Sequence, residues 1–351
     1  MKNKFNFKDL FVLDLANNHF GNPNHAKKII KSFGAIVKRE KIKATIKFQF
    51  RNLKNFIHPS EINNKNNKYV QRFNSTKLSF ENFNILKKFV KKNSMLTSCT
   101  PFDEDSIGLI EKMKFDILKI ASVSSNDWSL LERSTHNNLP KIISTGGKTL
   151  EEIDKIVSFF TKKKQQFAIM HCIAIYPSPR NTLQLNVISD FKNRYPGVTI
   201  GWSTHEDPDD LLPSTIAYSE GARIFEKHVG INSNKYKLND YSTTPTQFLN
   251  YLDNLEKVKN TLGPVKKYID KNEVNTLNLL GRGVYAKKDI NKGDKLTKNN
   301  IYYAFPIKNK QLSTGNFSLR YNEYTASKRI LKDDPVIKNN YKINFNKKKK
   351  L

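Results

Sequence analysis

The sequence predicts an α/β protein: a closed (β/α)8 barrel followed by a small β-rich domain. Three observations predict it. Eight short apolar or β-branched runs recur along the first two thirds of the chain. An amphipathic, helix-length stretch separates most neighbouring runs, which is the crossover a parallel strand pair requires. Near Leu279 the rhythm changes to short segments and tight turns. Strict alternation repeated eight times favours a closed barrel over an open doubly wound sheet, and no GxGxxG follows the first run.

The strands are expected at FVLDLA (11–16), ATIKFQF (44–50), SMLTSCT (94–100), DILKIAS (116–122), KIISTG (141–146), FAIMHC (167–172), VTIGWST (198–204) and ARIFEKHV (222–229). Helical patterns such as HAKKIIKSFGAIVKRE, SFENFNILKKFVKK, DEDSIGLIEKMK and LEEIDKIVSFFTKKK fall between them, and another follows Thr244. Residues 51–78 fit neither period and are rich in Asn and Lys, so they read as a long loop on the barrel's C-terminal face. The helical pattern ends around LGP (262–264), and a polar connector follows. The barrel is therefore assigned to residues 1–265 and the β-rich domain to 279–345, where Asn291-Lys292-Gly293 supplies turn chemistry.

Composition narrows the function classes. A chain of 351 residues with 38% hydrophobic residues and 23 Phe has ample material for a core, and no stretch is apolar enough to span a bilayer. The N-terminus carries no small-residue cleavage site, so a cytoplasmic location is expected. Cys99 and Cys172 are too few for a disulfide framework and read as ordinary reduced thiols. The net charge of +29 raises nucleic-acid binding as a possibility. The lysines are scattered, however, and no RNP, zinc-finger or helix-turn-helix pattern accompanies them. Lys347–Lys350 read as a solvated tail.

In a βα barrel the C-terminal strand ends share one mouth, so their polar residues are read together. They are Lys47 and Gln49, Thr100, Lys119 and Ser122, Ser144 before Thr145-Gly146-Gly147, and His171 with Tyr176. A lysine inside an apolar strand is costly to bury without an anion, and hydroxyls beside a glycine turn suit a phosphate or carboxylate. Each alone has a plainer reading, a snorkelling lysine or a tight turn; their coincidence favours one anion site. His205 and His228 end the last two strands and could share a divalent cation. Each could equally be a hydrogen-bonded rim residue, since no HxH or HExxH spacing is present. Asn17-Asn18-His19 follows the first strand, with Asp14 pointing into or under the ring of polar groups.

The motifs DLANNHFGN, KFQ, CTPFDEDS, LKIAS, IISTGG, HCIAIYPSP, GWSTHE and FEKHVG occur in an order that resembles the sialic acid synthase family. These N-acetylneuraminate synthase-like enzymes condense phosphoenolpyruvate (PEP) with amino-sugar aldehydes to give nine-carbon nonulosonates. GRGVYAKKDINKGDKLT resembles the small SAF, or antifreeze-like, domain that follows the TIM barrel in that family. The resemblance covers nearly the whole chain. It implies that Lys47, Thr100, Lys119, Ser122, Ser144 and Ser203 contact PEP, and that His205 and His228 hold manganese or magnesium. It further implies that Gln49 and Tyr176 lie near the sugar, that Asn239 or Asp240 occupies the place of an acidic contact, and that the enzyme is a homodimer. The expected activity is a transferase reaction joining PEP to an N-acylated amino sugar for surface polysaccharide biosynthesis.

Departures from the family pattern bear on this expectation. Ser124 stands where an acidic proton-transfer residue is usual, and a hydroxyl needs help to act as a base at neutral pH, for instance from Glu226 or Glu206. Asp14 replaces a Glu, Ala174 an Asn, and Phe305 falls near the place of an Arg. A relative with a different sugar substrate fits these changes. The alternative is a barrel that binds PEP but has lost condensation, acting as a pseudoenzyme or assembly partner.

Overall fold

Eight parallel strands close on themselves in sequence order in the computed structural model, which describes residues 4–345. They are β1 (Leu10–Asp14), β2 (Lys43–Phe50), β3 (Leu96–Pro101), β4 (Ile117–Ile120), β5 (Lys141–Ser144), β6 (Phe167–Cys172), β7 (Thr199–Ser203) and β8 (Ile224–His228). The barrel shuts between β1 and β8, where Asp14 is in register with His228 on one side and with Lys47 of β2 on the other. The predicted (β/α)8 barrel is thus the observed one.

Alternation along each strand divides two cores. Outward residues such as Leu13, Ile46, Phe48, Ile120, Ile143, Ile169, Trp202 and Phe225 form one cluster with the surrounding helices. Inward residues Leu10, Val12, Ile117, Ile142, Ala168, Met170 and Ile224 fill the lower barrel with Phe7. Phe5 and Phe7 meet edge to face with ring centroids 4.9 Å apart, and the chain enters β1 beneath this plug. Because side chains alternate with a period of two, the next inward residue up each strand is Asp14, Lys119, Ser144, Cys172 or Glu226. The barrel is apolar below and polar at its mouth.

The helices are α1 (Pro23–Arg39), α2 (Leu53–Phe56), α3 (Lys68–Thr76), α4 (Phe80–Lys92), α5 (Glu104–Lys112), α6 (Trp128–Ser134), α7 (Leu150–Lys162), α8 (Val187–Arg194), α9 (Leu212–Glu220), α10 (Pro245–Leu262) and α11 (Lys271–Leu279). Local chemistry fixes their starts. The Asn22 side chain caps α1, and Thr149 with Glu152 forms a reciprocal capping box on α7, whose Ile153, Ile156, Val157 and Phe160 face the outer core. Two expectations need correcting. Residues 51–78 are not a structureless loop but hold α2, a 3-10 turn and α3, each short and mostly exposed, which is why neither period showed. The connector after 264 likewise contains α11, none of whose residues is buried. No helix among the described residues is long and apolar enough to cross a membrane. The Lys347–Lys350 tail lies outside the described residues.

The chain divides into two units, Met1–Gly263 and Pro264–Leu351. The second has its own core, including Val284, Ile290, Leu296, Ile301, Tyr324, Ile330 and Val336. Its strands β9 (Gly283–Ala286) and β10 (Ile301–Ala304) pair antiparallel, as do β11 (Asn322–Ala326) and β12 (Tyr341–Phe345). The two halves repeat one another at a spacing of 40 residues, Ala286 corresponding to Ala326. Gly293 N–H donates to Ala326 O and Asp333 N–H to Ala286 O, both at 2.8 Å, while Ile290 and Ile330 exchange two bonds of 2.9 Å. Asn300 Oδ1 accepts from Thr297 N–H and Asn340 Oδ1 from Ile337 N–H, each at 2.8 Å.

Candidate active site

β1, β2, β4 and β8 bring four charged side chains together at the polar layer. Lys47 Nζ lies 2.8 Å from Asp14 Oδ2 and 3.6 Å from Glu226 Oε1. Lys119 Nζ lies 3.8 Å from Glu226 Oε2 and donates to Ser144 Oγ at 2.5 Å. All four charged groups are at most 4% exposed. Burial of that order makes an unpaired charge very costly, so the carboxylates and ammonium groups must balance one another. Burial pushes the Lys47 amine down, but Asp14 and Glu226 outweigh it and hold it above its ordinary value. Burial likewise works to raise the Asp14 carboxyl, and Lys47 and His228 hold it below the usual range instead. Lys119 has the poorer bargain: burial lowers it, Glu226 only partly compensates, and Lys47 adds repulsion.

Hydroxyls complete the layer. Ser203 Oγ donates to Glu226 Oε1 at 3.2 Å, and Ser122 Oγ accepts from Gly146 N–H at 3.0 Å. Thr100 Oγ1 and Glu226 Oε2 are buried with no hydrogen-bond partner among the described residues. Such orphans are uncommon in a finished core and common where a ligand supplies the partner.

Beside this cluster stand the two histidines, their ring centroids 5.2 Å apart. His205 Nδ1 donates to Ile173 O at 2.9 Å, which leaves Nε2 with a free lone pair. Burial, with His228 alongside, lowers the His205 value to about 3, and burial lowers His228 too, so both rings are neutral near pH 7. Neutral imidazoles are the form that ligates metals. His228 Nε2 is also 3.4 Å from Asp14 Oδ2. No group of three or more His, Cys, Asp or Glu among the described residues forms a complete metal cage. A cation on these two nitrogens would take its other ligands from water or substrate oxygens.

The match to a family model decides the lineage: the one described as the NeuB family fits residues 38–267. The chain belongs to the NeuB family. It is 39% identical to a Chromobacterium violaceum protein named for spore coat polysaccharide biosynthesis, whose crystal structure superposes with a TM-score of 0.93 over 95% of this chain and 100% of that one. It is 26% identical over 345 residues to the N,N'-diacetyllegionaminic acid synthase of Campylobacter jejuni, covering 94% of this chain and 99% of that enzyme. A sialic acid synthetase from Leptospira borgpetersenii is 26% identical, with a TM-score of 0.67 over 78% of this chain and 90% of that one.

Within this NeuB-family barrel the expected residues gather unevenly. Asp14, Lys47, Lys119, Ser144, Ser203, His205 and His228 are linked through the contacts above. Tyr176 packs on His205 with ring centroids 4.2 Å apart. Gln49 sits in register with Thr100 and accepts from Arg51. Ser124 is buried in the turn after β4, with no side-chain hydrogen bond among the described residues. Asn239 and Asp240 are exposed on the loop after β8, and only their neighbour Tyr241 reaches the histidines, 5.1 Å from His228. His171 is a correction: its ring stacks on Trp202 in the outer core and bonds Leu183 O, because inward alternation on β6 falls on Cys172. Glu206 also faces away, paired at 3.0 Å with Lys227, so it is no substitute for an acid at Ser124.

Sequence reasoning missed the central place of Glu226, naming it only as a possible stand-in for an acid at Ser124. It also missed Cys172, whose thiol lies between Ser122 and Ser203 and is pushed up by burial, and Arg51. Glu226 precedes His228 by two and Arg51 follows Gln49 by two, so the period of a strand was the available signal.

Proposed function

We propose that this chain condenses PEP with an N-acylated amino-sugar aldehyde, releasing phosphate and a nonulosonate used in surface polysaccharide. The observation that carries the reading is the buried Asp14–Lys47–Glu226–Lys119–Ser144 cluster beside two neutral imidazoles, in a chain of the NeuB family. Lys47, Lys119 and the hydroxyls of Thr100, Ser122, Ser144 and Ser203 would receive the phosphate and carboxylate of PEP, with Lys47 and Lys119 as its counter-charges. C3 of PEP then bonds to the aldehyde carbon, whose oxygen takes up a proton. Water adds at C2, and the C2–O bond to phosphate breaks. Asp14, ionised beside Lys47 and near His228, would orient the Lys47 ammonium group toward the reacting atoms.

His205 and His228 would hold a manganese or magnesium ion, which when bound supplies Lewis-acid polarisation of the aldehyde. Tyr176 and Gln49 would flank the sugar. A homodimer is part of the proposal: the segment after the barrel exposes Val265, Tyr268, Ile269, Leu277, Leu279 and Leu280, apolar surface that a second copy would cover. The exposed loop carrying Asn239 and Asp240 would contribute to the acceptor end.

The test is phosphate release from PEP with manganese, across N-acyl mannosamine-type and diamino-deoxy sugars, beside His205→Ala and His228→Ala. Release with one sugar, abolished in both variants, is the expected result. PEP binding without release for any sugar would replace the reading with a barrel that has lost condensation, the outcome that Ser124 motivates.

A further inference from the structure

Arg51 is half-buried at the barrel mouth with its Nε fully enclosed, and the proposed condensation gives it no task. It continues the inward face of β2 after Thr45, Lys47 and Gln49, so these polar groups climb from the interior to the rim. Arg51 lies four positions after Lys47, a rise of about 13 Å along extended chain, enough to hold an extended sugar beyond the PEP end. Its carbon Cζ lies 3.7 Å from the Phe102 ring centroid, 4.2 Å from that of Phe73 and 6.0 Å from that of Phe56. These rings hold the planar group and cover part of its faces.

The rings do not neutralise the charge. No carboxylate lies within 4.0 Å of Arg51 among the described residues, and its Nε is buried without a partner. Asp103 is close by but occupied: its oxygens accept from Asn52 N–H and from the backbone and hydroxyl of Ser106. Burial lowers Arg51 to about 10, which still leaves it charged near pH 7. Its protein hydrogen bond runs from Nη2 to Gln49 Oε1 at 3.1 Å. A guanidinium only donates, so the Gln49 oxygen must face it and the Gln49 amide N–H groups are left for another acceptor. A second arginine reinforces the field: Arg72, on α3 beside Phe73, is exposed, has no ion pair among the described residues, and its charge acts on the Tyr241 phenol next to His228.

We propose that Arg51 recognises an anionic group, a phosphate or a carboxylate, on the acceptor sugar, and so determines which sugar the site accepts. This rests on the condensation reading for the identity of the acceptor, but its physical basis is the unpaired guanidinium. The donors-only face formed by Arg51 and the Gln49 amide selects oxygen, and with Asp14 and Asp103 acting on Arg51 only from beyond contact, the fork is left to pair with an anion.

The test is calorimetric binding to the full chain saturated with PEP, comparing a neutral N-acyl hexosamine with its 6-phosphate and with the corresponding hexuronate. The wild type should bind one or both anionic sugars about tenfold or more tighter than the neutral one. Arg51→Gln should bring the two within about twofold, and Arg51→Lys should restore part of the preference, because charge survives while the fork does not. The phosphate and carboxylate arms identify which anion is read. Equal affinity for neutral and charged sugars in the wild type overturns the proposal. So does an Arg51→Gln variant that weakens all three sugars in parallel, which would make Arg51 a prop for α2 and α3. If no sugar supports phosphate release, the condensation reading fails while the binding comparison still decides the role of Arg51.

Discussion

Glu226 is the group whose removal is most informative. In the protein alone it shares two buried ammonium groups with Asp14, so two negative charges meet two positive ones. Glu226→Gln keeps the shape and an oxygen for the Ser203 hydroxyl, yet leaves Lys47 and Lys119 with one carboxylate between them. Breaking a buried pair in this way costs about 3 kcal/mol. For a barrel of this size that corresponds to a fall of roughly 6–12 °C in the melting temperature. PEP brings its own negative charge to the same lysines, so the carboxylate that stabilises the empty site competes with the substrate. The variant should therefore gain more from PEP than the wild type does. Each tenfold gain in affinity adds about 1.4 kcal/mol of ligand stabilisation, or roughly 3–6 °C. Differential scanning calorimetry of both proteins, with and without PEP and inorganic phosphate, measures every quantity. An unchanged melting temperature without ligand, or equal PEP increments in the two proteins, would refute the charge accounting.

Gly146→Ala should cost about 1–3 kcal/mol and depress PEP affinity, because the new Cβ would stand 2.8 Å from Ser122 Oγ and 3.1 Å from Cys172 O; denaturation and PEP titration together check it. Burial, with His25 nearby, lowers His19 to about 4 from its ordinary 6.5. Between pH 6.5 and 4 the unfolded chain therefore holds a proton that the folded chain refuses, and stability falls as pH drops through that window. His19→Gln should remove this part of the acid sensitivity in denaturant midpoints measured at pH 7 and 4.5. In the second unit, Asn300→Ala and Asn340→Ala each delete a carboxamide bonded to two backbone groups. Each should destabilise that unit by roughly 1–3 kcal/mol, and by similar amounts, when unfolding is followed by hydrogen exchange.

The barrel was legible because parallel strands covered on both faces read as apolar runs, and every expected run overlaps an observed strand. Lys47 and Lys119 were legible as charges inside such runs. Their partners were harder to see. Asp14 meets Lys47 only because β1 and β2 are neighbours in register, and Glu226 meets both lysines only across a closed barrel. His171 misled because its place at a strand end says nothing of its side until the alternation is anchored, here by Met170 in the inner core and Trp202 in the outer. Residues 51–78 hid their helices because short, exposed segments carry little periodicity, and with them went the aromatic rings around Arg51.

The repeat in the second unit makes each half incomplete by itself. Its halves bond reciprocally, so each half's open N–H and C=O groups are answered chiefly by the other. A forty-residue piece holding one half would leave those groups open to water unless a second copy closed them. Holding both halves on one chain makes their meeting a tethered one, with an effective concentration of roughly millimolar. The halves differ in detail, one having Gly293 at positive φ where the other has Asp333, also at positive φ. A peptide of either half alone should still seek a twin.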